Sequence, residues 1–138
     1  MKITLTMLAA AASLLAGCAT PYELQLETGQ GSALLNIKGD WQRWICRDGA
    51  RKVLQPDEKG YAAIPAGERI TVGTSFYGGN ASCSARSSFI PMAGERYFLD
   101  FDIESEKCFS LPYREVSYNR VGLALVHTAA PSGECGAR

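Results

Sequence analysis

Hydrophobic and polar positions along the chain fall into two regimes. The first is an uncharged run from Ile3 to Leu15, built of apolar, Ala and small hydroxyl residues. From residue 33 onward the pattern becomes a series of short β-like runs separated by turn residues. Ala33 to Ile37 stops at Gly39-Asp40, Trp41 to Cys46 stops at Asp48-Gly49, and Arg51 to Leu54 stops at Pro56-Asp57. Tyr61 to Ile64 meets Pro65. Arg69 to Tyr77 is rich in β-branched and aromatic residues and ends at Gly78-Gly79-Asn80, and Ser82 to Ile90 leads to Pro91. Arg96 to Ile103 alternates most clearly: Tyr97, Leu99, Phe101 and Ile103 share one face, and Phe98, Asp100 and Asp102 the other. Cys108 to Val116 contains Pro112, which places that run at an edge or a bend. Asn119 to His127 reads as the last strand, and the tail from Thr128 is small and polar apart from Cys135.

Turn signals recur at roughly 8–12-residue spacing, the mark of an all-β sandwich or barrel. No stretch reads as an amphipathic helix. The expectation is a small antiparallel β-sandwich of about seven to eight strands over residues 33–138. Two blocks echo each other, Pro65-Ala66-Gly67-Glu68-Arg69 and Pro91-Met92-Ala93-Gly94-Glu95-Arg96, and each precedes a strand. Pro sets φ and Gly permits a positive φ, so one turn design is used twice. Residues 18–32 read as a tether, within which the alternation of Tyr22, Leu24 and Leu26 allows a short edge strand.

The apolar run near the start is about 13 residues, against roughly 20 for a helix that spans a bilayer. With Met1-Lys2 before it and small residues after it, residues 1–17 read as a secretion signal. Leu15-Ala16-Gly17-Cys18 resembles the lipobox of bacterial lipoproteins. That resemblance implies diacylglycerol on the Cys18 thiol, cleavage before Cys18 and acylation of the new amine. Two or more acyl chains hold a protein stably, at about 0.8 kcal/mol per buried methylene. Ala19 follows where an Asp would imply retention at the inner membrane, so the resemblance implies the outer membrane. Residues 60–125, with their apolar strand, Ala93-Gly94-Glu95-Arg96-Tyr97 turn, alternating strand and Cys108, are similar to small β-sandwich domains of uncharacterised bacterial lipoproteins. This similarity implies fold and compartment only.

Removal of residues 1–17 leaves 121 residues, the size of one domain with a real core. Thirteen basic residues then face 14 acidic ones, so there is no basic footprint for nucleic acid and no polybasic membrane patch. Apart from Cys18, four cysteines remain: Cys46, Cys83, Cys108 and Cys135. Export places them in an oxidising compartment, where an even count points to two disulfides. Three connectivities are open. A hairpin turning near Pro91–Glu95 brings Cys83 opposite Glu104, close to Cys108. This favours Cys83–Cys108 and leaves Cys46 to hold the tail through Cys135. With no CxxC spacing and a single His, neither a metal site nor a redox site is expected.

Catalytic candidates are few. His127 is the sole His, it ends an apolar strand, and no GxSxG elbow accompanies it. Asp100 and Asp102 read as a solvated outer face rather than as paired carboxylates or a Ca²⁺ site. Trp41 and Trp44, three apart on a strand, must point to opposite faces. Trp44 shares parity with Cys46 and is expected to pack near that disulfide in the core. Trp41 is then either an amphipathic rim residue or a contact residue for a sugar, peptide or partner surface. Tyr77, before the Gly78-Gly79-Asn80 turn, is the second candidate contact.

These observations predict a lipoprotein of the outer membrane, facing the periplasm. Its domain is expected to be a non-enzymatic interaction module for an envelope protein, with no cofactor and no metal. An accessory or inhibitor/immunity lipoprotein of a secretion or toxin system is the alternative, and a hydrolase the third reading.

Overall fold

A computed structural model describes residues 19–136, so Cys18 and the leader lie outside the described residues. Among the described residues there are nine strands. These are β1 (Ser32–Asn36), β2 (Gln42–Arg47), β3 (Ala50–Val53), β4 (Tyr61–Pro65), β5 (Ile70–Gly78), β6 (Ala81–Phe89), β7 (Arg96–Glu104), β8 (Lys107–Glu115) and β9 (Leu123–Leu125). They form a five-stranded sheet of order β4-β1-β7-β8-β9 and a four-stranded sheet of order β3-β2-β5-β6. Every strand pair is antiparallel except β1 with β7. The expected all-β sandwich is therefore present, with one parallel pair in its centre.

The core follows from period-two alternation. Leu35 pairs with Ala62 on one side and Tyr97 on the other, and all three are buried. From the facing sheet come Ile45, Val72 and Phe89, each fully buried. Burial of each such side chain contributes roughly 1.5–3 kcal/mol. Phe89 and Tyr97 meet with ring centroids 5.0 Å apart, across the two sheets.

Both expected disulfides are formed. Cys83–Cys108 joins β6 to β8, and therefore one sheet to the other, with Cα atoms 6.1 Å apart. Cys46–Cys135 joins β2 to the C-terminal tail, with Cα atoms 5.5 Å apart. The two echoed turn blocks lie side by side: the Gly67 N–H donates to the Pro91 carbonyl at 2.8 Å. Gly67 and Gly94 take φ values of +80° and +79°, conformations that L side chains resist.

Three expectations are adjusted. The last strand is only Leu123–Leu125, because Asn119 folds the preceding residues into a turn. Its Oδ1 accepts the Gly122 N–H at 2.7 Å, and its Nδ2 donates to the Leu123 carbonyl at 2.9 Å. Trp44 is buried and shares the Cys46 face, but that face is the outer side of the four-stranded sheet. Ile45 takes the inward position, and Trp44 is covered instead by Arg51, whose guanidinium lies 4.2 Å from its ring centroid. The segment before β1 forms no strand over residues 22–27; a single parallel bridge joins Pro21 to Val53. There the Tyr22 N–H donates to the Val53 carbonyl at 2.7 Å, and the Val53 N–H donates to the Thr20 carbonyl at 2.9 Å.

Candidate interaction surface

The outward face of the five-stranded sheet carries exposed apolar side chains beside carboxylates. Register places Phe109 beside Asp102, Leu111 beside Asp100, and Tyr113 between Phe98 and Leu125. All of these side chains share one parity, opposite to that of Leu99 and Pro112. An outward sheet face in an antiparallel sandwich is ordinarily polar. Here Phe109, Leu111 and Leu125 are 46%, 49% and 73% exposed. The expected row of Asp100 and Asp102 is present, with Asp102 exposed and Asp100 half-buried, but its neighbours on β8 are apolar.

At the other end of this face, Glu115 gathers donors from three strands. Asn36 Nδ2 on β1 donates to its Oε1 at 3.1 Å, and the Tyr61 hydroxyl on β4 donates to its Oε2 at 2.8 Å. Arg96 Nε on β7 stands 3.7 Å from Oε2. The side chain of Glu115 is only 20% exposed, so these partners hold its carboxylate in one place. Burial, reinforced by the bond to Glu115 and by its charge, raises the Tyr61 pKa above the ordinary tyrosine value.

Around this carboxylate lies a hollow of about 660 Å³. Its floor includes Phe98 and Leu123, and the loop between β8 and β9 forms its wall. Tyr118 and Val121 project from that loop and are 72% and 78% exposed. The result is a fixed carboxylate in an open hollow lined by charged groups, among them Glu95, Arg96 and Arg114, as well as by Phe98, Tyr118, Val121 and Leu123.

The residues singled out from sequence fall elsewhere. Trp41 is half-buried at one end of the sandwich. Its ring centroid lies 4.8 Å from that of Phe76 and 5.1 Å from that of Phe101, so it closes the interlayer space. Tyr77 is 69% exposed near the tip of the β5–β6 hairpin. His127 is exposed, two residues past β9. Cys18, the expected lipidation site, lies outside the described residues. Trp41, Tyr77 and His127 do not join the Glu115 cluster. Asn36, Tyr61, Arg96 and Glu115 carry no shared motif, and their meeting depends on the parallel pairing of β1 with β7. The one legible signal was the parity of Tyr113 and Glu115, which continues the outward face.

In comparisons with known proteins, the chain matches no family model, and neither a curated protein nor a solved structure gives a significant match.

Proposed function

We propose that this chain is an outer-membrane lipoprotein, anchored by lipid on Cys18, and that its periplasmic domain is a non-enzymatic interaction module. The module engages an envelope protein through the outward face of the five-stranded sheet. The observation that carries this reading is the exposed apolar set of Phe109 and Leu111 on β8 and Leu125 on β9, on the same sheet face as the Glu115 hollow. Contiguous apolar surface rimmed by polar groups marks interaction sites on soluble domains. Asp100 and Asp102 beside this set favour a partner that presents basic as well as apolar side chains. The leader, the lipobox-like Leu15-Ala16-Gly17-Cys18 and the two disulfides support the compartment.

Two experiments test the two halves separately. A Cys18→Ala precursor is expected to take up no acyl label and to leave the membrane fraction; normal labelling would overturn the anchor. For the module, Phe109→Ser combined with Leu111→Ser is tested by in-cell crosslinking against the native chain. Loss of a crosslinked envelope protein with an unchanged melting temperature supports the surface. An identical crosslinking profile removes it.

A further inference from the structure

If Cys18 carries the lipid, the anchor has almost no spacer. Ala19 alone separates Cys18 from Thr20, whose carbonyl accepts the Val53 N–H on β3 at 2.9 Å. Two residue steps reach about 7 Å at full extension. The next bond, from the Tyr22 N–H to the Val53 carbonyl at 2.7 Å, fixes the chain direction along the outer edge of β3. The Tyr22 ring packs against the hydrophobic core, which holds this attachment on its other side.

From Tyr22 the chain crosses from the edge of one sheet to the start of β1 in the other. Its far end is also tied, because Gln30 Nε2 donates to the Ala66 carbonyl at 3.1 Å and Gln30 Oε1 accepts the Glu27 N–H at 3.0 Å. Between these ties Leu24 and Leu26 are 38% and 42% exposed. They are apolar side chains on a restrained segment, six and eight residues after the one that would bear the lipid.

We propose that the Tyr22–Gln30 crossing is the membrane-facing edge of the domain, held flush on the bilayer with Leu24 and Leu26 against the lipid. This inference rests on the Cys18 anchor proposed above. Its occupant is the bilayer that holds the anchor, because a reach of about 7 Å leaves the domain no room to swing free of it. Glu23, Glu27, Asp48 and Glu68 outnumber Arg47 and Lys52 along this edge, so the contact depends on the covalent anchor and the two leucines and gains nothing from charge. The opposite end of the molecule is turned toward the periplasm. Ile45 pairs with Val72, so Arg47 at the end of β2 lies near the start of β5, and Tyr77 lies near the other end of that nine-residue strand. A strand of that length spans roughly 30 Å.

The test uses the full chain, lipidated in the cell envelope, purified, and reconstituted into phosphatidylethanolamine–phosphatidylglycerol vesicles containing a trace of tritiated phospholipid. A benzophenone amino acid replaces Leu24, Leu26 or Tyr77 in turn. Crosslinking to lipid is expected at Leu24 and Leu26 and only at background at Tyr77. Insertion of ten Gly/Ser residues between Ala19 and Thr20 is expected to lower crosslinking at Leu24 at least about fivefold, since a flexible linker dilutes the contact. Equal labelling at Leu24 and Tyr77, or labelling insensitive to the spacer, overturns the flush orientation. Acyl labelling and vesicle flotation of the same samples report on the anchor independently. A chain that floats without labelling at Leu24 refutes the orientation alone, whereas a chain with no acyl label refutes the anchor.

Discussion

The indole of Trp44 lies against Gly73, its cross-strand partner on β5, in the space a Cβ would need. Its Nε1–H donates to Ser75 Oγ at 3.0 Å, and Arg51 stacks above it. The absence of a side chain at residue 73 is thus what allows a large aromatic group to be buried on the outer side of the sheet. Gly73→Ala is expected to destabilise the domain by about 1–3 kcal/mol through overpacking. Urea denaturation measures this directly, and an unchanged midpoint would contradict the packing described.

The two disulfides close loops of different length, with sequence separations of 89 for Cys46–Cys135 and 25 for Cys83–Cys108. Loss of each bond is expected to cost about 2–4 kcal/mol, with the longer loop costing about 1 kcal/mol more. Paired Cys→Ser variants, compared by chemical denaturation, supply the ranking. A smaller loss for Cys46–Cys135 would show that the unfolded chain is not where this bond acts.

Tyr61 offers a probe of the Glu115 cluster. Its pKa is raised by burial first and by Glu115 second, so the folded state favours the protonated phenol. The stabilisation this provides is present below the unfolded value of about 10 and is lost as pH rises through the folded value. Glu115→Gln is expected to move the Tyr61 titration downward without restoring the ordinary value, because burial remains. Tyrosine absorbance against pH, with Tyr61→Phe as reference, reads the shift. No movement would mean that the two side chains do not share a bond in solution.

Asp57 works in the opposite direction. Its Oδ1 accepts the Lys59 N–H at 2.8 Å and the Tyr61 N–H at 2.9 Å, in the turn that launches β4. These bonds, that from Tyr61 foremost, lower its pKa below the ordinary aspartate value. The stabilisation is present above the unfolded value of about 4 and is lost as pH falls through the folded one. Carboxyl NMR should show Asp57 titrating below the ordinary range, and Asp57→Asn should remove that part of the acid sensitivity. An ordinary titration midpoint would exclude the turn as drawn.

Much of the architecture was legible along the chain because β structure writes itself in period two. The alternation of Tyr97, Leu99 and Phe101 identified the inward face of β7, although Phe101 is only half-buried where the sandwich opens. The pairing of Cys83 with Cys108 followed from a single hairpin. The β8–β9 turn was harder to read, since Asn119 competes for backbone bonds through its own side chain and ends a run that looked extended. Trp44 was misplaced for a related reason: parity says which residues share a face, but not which face another element covers. The C-terminal tail, held by Cys135 and by Glu134 at 2.7 Å from Arg86, covers what would otherwise be an exposed side.

By itself the sequence determined the β class, the alternation that sets the inward face of β7, a preferred disulfide pairing and the expectation of a lipid on Cys18. Each of these depends on residue type at short range or on one turn. Tertiary structure alone decided that Asn36, Tyr61, Arg96 and Glu115 converge, because their strands become neighbours only through the parallel placement of β1 beside β7. It also decided that Thr20 and Tyr22 are bound to β3, since an edge strand exposes unpaired backbone groups that a segment distant in sequence can satisfy.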